Sequence, residues 1–514
     1  MKAGALLLWL FPAILGIAMF VIQGRNEDSA HSVSAVERNV LGKKEPVAPA
    51  TGPLKVHPSN PRYFTDGSGK VIYLTGSHHW NNLLDSSQIG QPLSAFDYSQ
   101  YLDFLTSHRH NFVRMWASEG GVNLTYVDLL PYPRTGPGMA LDGKPKFNVE
   151  EFNQAYFDRL RSRVIAARDR GIYVGIMLFN GWSMYDHGYG NPWPLHPFNQ
   201  ANNINGINGD PGVDGEGREA HALQVPAILS RQQAYVRKVV DTVNDLDNVL
   251  YEITNETAIY SKDWQYHMIR FIHTYEATKP KQHPVGMTSF DTSPEDATRD
   301  GATQALLSSP AEWISPSNER NANYAASPPP ASGKKVVLSD TDHFFGIGGD
   351  HNWVWKTFTR GLNPIYMDPL DFLTGGQQDP PGAGTARLAM GDTRAYANRM
   401  NLAAMIPRSD LCSTTFCLAD PGFEYLVYVP FGSHWLESYI QLLSSYRLRS
   451  WIKSLELFSR TVTVDLGAAS KPLTVEWFNP ITGEITATGT RTGGGRQNFT
   501  APFRGDAVLY LVTA

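Results

Sequence analysis

Between residues 71 and 369 the sequence repeats one pattern eight times: a short apolar run, a longer stretch, then the next apolar run. The runs are VIYLTG (71–76), FVRMWA (112–117), YVGIMLF (173–179), VLYEIT (249–254), PVGMTS (284–289), EWISPS (312–317), KVVLSD (335–340) and PIYMDP (364–369). They have the length and the β-branched and aromatic content of strands. Most are too apolar to face water on either side, which is the condition of a parallel sheet covered by helices. Helical stripes fall between several of them. Tyr98, Tyr101, Leu102 and Leu105 follow the N-cap candidate Asp97, and Phe157, Leu160 and Val164 precede a closing Gly171. Val236, Val239, Val240 and Val243 form a third stripe, and Met268, Phe271, Ile272 and Tyr275 a fourth. Eight such strands predict an α/β fold, a (β/α)8 TIM barrel, over residues 54–408.

After about residue 408 the period changes. EYLVYVPFG, TVTVDLG, LTVEWFNPITGEI and AVLYLVTA alternate at period two between turn residues, which predicts a small C-terminal antiparallel β-sandwich over 409–514. HWLESYIQLLSSYRLRSWIKSLELF, between the first two, reads as a helical insertion. At the other end, Lys2 is followed by 20 uncharged residues, Ala3 to Ile22, close to the ~20 that span a bilayer. Without a clear A-x-A site, residues 1–22 read as an uncleaved signal-anchor, with a cleaved signal peptide as the alternative. Either makes the remainder exported: anchored facing outward, periplasmic or secreted. Residues 23–53, polar and then EPVAPATGP, read as a disordered tether.

Charge is balanced, 44 Lys+Arg against 49 Asp+Glu, without runs, so no nucleic-acid partner is expected. Cys412 and Cys417, in LCSTTFC, have no second pair with which to build a metal site. In an oxidising compartment they could close a short disulfide loop; elsewhere they stay thiols.

Active sites of such barrels lie at the C-terminal strand ends. Those ends supply His78, His79 and Trp80 from the first strand, and Arg114, Trp116 and Glu119 from the second. Asn180 and Trp182 end the third, Asn255 and Glu256 the fourth, Asp340, Asp342 and His343 the seventh, and Asp368 the eighth. Glu256 and Asp340 or Asp342 then face each other across the mouth. Opposed carboxylates flanking a bond are what glycoside hydrolysis requires: one protonates the leaving oxygen while the other attacks or activates water. Arg114, among apolar neighbours, needs a carboxylate partner if buried. His78 and His79 are adjacent and so face opposite ways, one into the cleft and one into packing; His79 is assigned to the cleft. Trp182, Tyr185, Tyr189, Trp193 and Phe198, in the long segment after the third strand, either wall sugar subsites or pack on one another. DPGVDGEG has an Asp/Gly rhythm suggestive of Ca²⁺ but lacks EF-hand spacing. No cofactor is expected.

YEITNE resembles the strand-4 signature of clan A glycoside hydrolases, the cellulase-like barrels. That resemblance implies that Asn255 contacts the sugar 2-hydroxyl and that Glu256 is the acid/base. FVRMW resembles their strand 2, whose Arg supports the nucleophile, and KKVVLSDTDHF stands where they carry a nucleophilic Glu, here Asp340. GSHHW and VEWFNPITGE…FTAPFRGDAVLYLV resemble exported bacterial proteins with such a barrel and a C-terminal module called collagen-binding, a label rather than a function. Together these imply an exported, retaining glycoside hydrolase acting on a polysaccharide or glycoconjugate, with Glu256 and Asp340 catalytic. Asn255, Arg114, His79, Trp116, Trp182, Asp342 and His343 would bind substrate. Two other readings compete: a non-catalytic carbohydrate-binding or adhesion protein, favoured by the Asp at strand 7, and a metal hydrolase using His78, Asp342 and His343. The sequence carries no sign of the sugar, the linkage or the oligomeric state.

Overall fold

The computed structural model describes residues 48–431 and 460–513, apart from 89–92, 94, 121–124, 128, 189, 291–298, 321, 345 and 371–378. The apolar N-terminal run, the helical insertion at 434–458 and Tyr189 lie outside the described residues.

Eight parallel strands form, seven of them on the apolar runs: β1 (Gly76–His78), β2 (Phe112–Trp116), β3 (Tyr173–Asn180), β4 (Val249–Asn255), β5 (Val285–Thr288), β6 (Trp313–Ser315), β7 (Val336–Asp340) and β8 (Asn363–Met367). They pair in the order β1-β8-β7-β6-β5-β4-β3-β2. The ring closes between β1 and β2 without a full ladder. The N–H groups of Asn111 and Phe112 donate to the Thr75 carbonyl, and the Asn82 amide bridges the Arg114 carbonyl and the Trp116 N–H. The first strand sits later than its apolar run predicts. Ile72 pairs instead with Phe64, in a hairpin flap outside the ring.

Helices α1 (Tyr98–Ser107), α2 (Gln154–Arg168), α3 (Pro226–Val243), α4 (Lys262–Glu276), α5 (Arg299–Ser308), α6 (His351–Thr359) and α7 (Ala383–Arg399) are all helices of the barrel region. Asp97 caps α1 by accepting from the Gln100 N–H, as its position predicts. Gly171 takes a left-handed φ of 68° at the turn after α2. The valine stripe of α3 is wholly buried, worth about 1.5 kcal/mol or more for each side chain.

Inside the ring, Phe112, Leu250, Trp313, Val336, Leu338 and Ile365 form an apolar floor. Close packing there uses the smallest side chain: a Cβ on Gly286 would stand 1.9 Å from the Trp313 indole. The polar residues lie one layer above, toward the C-terminal ends.

The C-terminal region is antiparallel. Strands β9 (Ile406–Pro407), β10 (Cys417–Asp420), β11 (Glu424–Val429), β12 (Thr461–Asp465), β13 (Leu473–Phe478), β14 (Ile485–Arg491), β15 (Arg496–Thr500) and β16 (Ala507–Thr513) make a six-stranded sheet, β9-β10-β11-β16-β13-β14, and a two-stranded antiparallel sheet, β12-β15. Val427, Leu509 and Leu511 face the two-stranded sheet across a core shared with Val462, Val464 and Phe499. The alternate residues face the barrel. Trp355 of α6 packs on Phe478 with centroids 5.7 Å apart, and the Tyr428 hydroxyl donates to the Asn352 amide oxygen at 2.6 Å. Apolar residues on both faces explain why these strands are buried on both sides. Cys412 and Cys417 are buried free thiols in the inter-sheet core.

The segment expected to be a tether is partly built into the fold: Ala50 is buried, its N–H donates to the Arg168 carbonyl, and Tyr173 donates to the Thr51 carbonyl. Among the described residues no helix is long and apolar enough to cross a membrane.

Candidate active site

Arg114 organises the mouth of the barrel. It lies on β2 in phase with Phe112, so it points inward, one layer above the floor. Its Nε and Nη2 donate to the two carboxylate oxygens of Glu252 on β4, at 2.7 and 2.5 Å. Nη1 donates to Asp342 Oδ2 at 2.7 Å and stands 3.7 Å from Asp340 Oδ2. Nη2 also donates to Asn255 Oδ1 at 2.7 Å. Glu252 is fully buried, and its two-pronged ion pair answers the cost of placing both charges in the core.

The Asn255 contact fixes that amide's orientation. A guanidinium only donates, so the atom it meets is the oxygen and Nδ2 points the other way. Nδ2 lies 3.4 Å from Glu256 Oε2, and the Trp182 Nε1–H donates to the same oxygen at 2.8 Å. Thus Asp340, Arg114, Asn255 and Glu256 form a continuous chain from β7 across to β4.

Asp340 is the last residue of β7 and 3 % exposed. Its Oδ1 accepts from His78 Nε2 at 3.0 Å and from the Asp342 N–H at 3.1 Å. The tautomer of His78 follows from its other neighbour. The Trp116 indole N–H can only donate, and it points at His78 Nδ1 from 3.1 Å. The proton of a neutral His78 therefore sits on Nε2, aimed at Asp340.

One guanidinium here meets three carboxyl groups, Glu252, Asp340 and Asp342, and the proton affinities of the two aspartates separate. Burial pushes Asp340 up, but the His78 imidazole and then Arg114 outweigh it and hold the carboxyl well below the usual carboxylate range. Burial and the neighbouring Asp340 charge leave Asp342 raised despite its contact with Arg114. Asp340 is the standing anion and Asp342 the more readily protonated partner. Burial, with Arg114 beside it, lowers His343 to about 3 and keeps it neutral; its ring bridges Ser315 Oγ at 2.8 Å and Asn255 Oδ1 at 3.4 Å.

Several expectations change. Of the two adjacent histidines the structure puts His78, not His79, in the cluster. His78 is in phase with Leu74 and Gly76 on the inward face, whereas His79 stacks on Phe96 at 5.3 Å and 7° and accepts the Asn81 N–H. Of the three residues expected at the end of the seventh strand, only Asp340 belongs to it; Asp342 and His343 lie in a single 3₁₀ turn, Thr341–His343, capped by the Asp340 carboxylate. In the segment after β3, Tyr185, Trp193 and Phe198 are buried and pack on their surroundings, with Tyr185 and Trp193 each stacked on a histidine. Trp182 remains half-buried and reaches Glu256. Trp116 lines the mouth with Met177 and Met367, its ring 5.0 Å from the Arg114 guanidinium.

Sequence reasoning passed over Glu252 and Ser315. Glu252 left a signal: Arg114 and Glu252 are lone charges inside two apolar runs, and two such residues in one core predict a pair. Asp210, Asp214 and Glu219, in the Asp/Gly-rich stretch, bring carboxylate oxygens within 4.8 Å of one another, and those of Asp210 and Glu219 also accept loop N–H groups.

No protein-family model matches the sequence, and no curated protein matches it either. Solved structures do match the fold. One described as a glycoside hydrolase superposes with a TM-score of 0.51 at 12 % identity, over 90 % of this chain and 97 % of its own. A glycoside hydrolase family 5 protein from Bacteroides vulgatus gives 0.51 at 13 % identity, over 90 % and 94 %. The chain has the TIM-barrel fold of these glycoside hydrolases, with an antiparallel β region following it.

Proposed function

We propose that this chain is a retaining glycoside hydrolase, with Asp340 the nucleophile and Glu256 the acid/base. One observation carries the reading: a buried anionic carboxylate at the end of β7 and a half-buried carboxylate at the end of β4, joined through Arg114 and Asn255. Asp340 would attack the anomeric carbon while Glu256 gives its proton to the departing glycosidic oxygen, so one C–O bond forms as another breaks. Glu256, now a carboxylate, would take a proton from water as that water displaces Asp340 from the sugar. The Trp182 N–H and the Asn255 amide steady Glu256 as it becomes charged. The carbohydrate substrate and the part of Asn255 in holding its 2-hydroxyl follow from the strand-4 resemblance. Export follows from the apolar run Ala3–Ile22 and is tested by fractionation and N-terminal sequencing.

A panel of aryl and natural glycosides tests the activity. Glu256→Gln and Asp340→Asn should each lose roughly 10²-fold or more on natural linkages. Unchanged turnover in either variant removes that residue from the chemistry. Proton NMR of the first-formed anomer tests the stereochemistry, and the opposite anomer would recast Asp340 as the base of an inverting enzyme.

A further inference from the structure

The end of β4 breaks strand alternation in a way that the acid/base reading does not itself explain. Glu252 points inward, but Thr254 turns its hydroxyl to the helix side, 2.7 Å from the Thr257 hydroxyl, and Asn255 turns in to Arg114. Alternation would then send Glu256 away from the mouth. It does not go, because Glu256 has φ +40°, a left-handed conformation uncommon outside glycine. That backbone brings its carboxylate beside the Asn255 amide and under the Trp182 indole. A strained residue persists only where its surroundings over-determine it.

Two neighbours do so. Gly181, directly after β3, lies flat against the peptide between Glu256 and Thr257: a Cβ there would meet the Thr257 Cα at 2.6 Å and the Glu256 carbonyl oxygen at 2.7 Å. Thr257 is fully buried, and its hydroxyl is held by the Thr254 hydroxyl and by His221 Nδ1 at 3.2 Å. His221 is in turn fixed by stacking on Trp264 of α4, with centroids 4.4 Å apart.

We propose that Gly181, Thr257 and His221 are positioning residues that clamp Glu256 in its left-handed conformation and thereby aim its carboxyl at the glycosidic oxygen. This rests on the acid/base reading of Glu256. None of the three residues touches the reacting atoms; they act through the Glu256 backbone.

The test uses Thr257→Val, which keeps the shape and removes the hydroxyl, Thr257→Ser, which returns it, and Gly181→Ala. Each is assayed on 2,4-dinitrophenyl glycosides, whose leaving group departs without a proton, and on alkyl glycosides, which need one. Thr257→Val and Gly181→Ala should lose about tenfold or more in kcat on alkyl glycosides and little on the activated ones, with Thr257→Ser restoring most of the loss. Equal losses on both substrates would show a merely structural role and overturn the proposal. Crystal structures of the variants decide it without any turnover. Gly181→Ala should release Glu256 to an extended φ and break the Trp182 contact. A left-handed Glu256 persisting in both Gly181→Ala and Thr257→Val overturns the clamp even if the glycosidase reading stands. A wild-type protein inert on every glycoside would overturn the glycosidase reading alone, leaving the clamp to the structures.

Discussion

Arg114→Met is the perturbation with the largest consequence that the site's geometry predicts. Methionine matches much of the arginine stem, so little volume is lost, but every donor of the guanidinium disappears. Glu252, which has no exposure, loses both of its charged contacts; Asp342 and the Asn255 oxygen lose theirs. Breaking one buried ion pair by removing a partner costs about 3–5 kcal/mol. The Asn255 oxygen, left with only its 3.4 Å contact to His343, adds up to about 1–3 kcal/mol unless water reaches it. We expect a loss of about 4 kcal/mol or more, read from urea denaturation of the variant. The attribution is checked by a cycle with Glu252→Gln. If the cost is mainly an unpaired buried charge, removing that charge as well returns about 2 kcal/mol or more, and the two single effects fail to add. A loss below about 1 kcal/mol, or single effects that sum, would refute the view of Arg114 as the counter-ion of a buried carboxylate. Arg114→Lys should also fall well short of wild type, because one ammonium cannot reproduce the fork that meets Glu252 on two oxygens while reaching Asp342.

Glu119→Gln should stabilise the protein at neutral pH. Burial, only partly offset by the Gln232 amide, raises Glu119 from 4.5 to about 8, so the folded chain keeps a proton that the unfolded chain releases above pH 4.5. Stability therefore falls as pH rises from about 4.5 to about 8, by about 3 kcal/mol at pH 7, and the neutral amide escapes that loss. Melting curves of the two proteins should coincide near pH 4 and separate toward pH 8; parallel curves would refute the assignment. Trp116→Phe keeps the ring beside Arg114 but frees His78 Nδ1 to take the proton now aimed at Asp340. A drop of about tenfold in kcat with KM nearly unchanged is expected, the worth of one hydrogen bond to a charged group; unchanged kcat would show that the His78 tautomer is fixed by something else.

How far the sequence reached can be read from particular residues. Apolar runs with the right lengths located seven of the eight barrel strands, because a strand buried on both faces must be apolar throughout, and that requirement is local. The cap at Asp97 and the left-handed Gly171 were legible for the same reason: each is dictated within a turn of chain. β1 was misplaced because Val71–Leu74 is as apolar as a barrel strand. Only pairing with Phe64, a contact made by folding, sends Ile72 outside the ring.

At the site, the sequence by itself determined which chemical groups come near the barrel mouth: Arg114, Glu256, Asp340, Asp342 and a pair of adjacent histidines stand on the strands' C-terminal halves or just past them. Tertiary structure decided which of them meet. Inward phase selected His78 over His79, and the indole of Trp116 on another strand then set its tautomer. The His78 imidazole, with Arg114 behind it, made Asp340 the anion, and burial beside that charge left Asp342 with the higher proton affinity. The left-handed turn at Glu256, held by residues on β3's far end and on the segment before α3, aimed the carboxylate that the strand alone would have turned away. The contacts that join the site depend on partners far apart in the chain, Trp116 on His78 and Arg114 on Glu252, and a local pattern carries no record of such partners until the ring closes and brings them within a few ångströms.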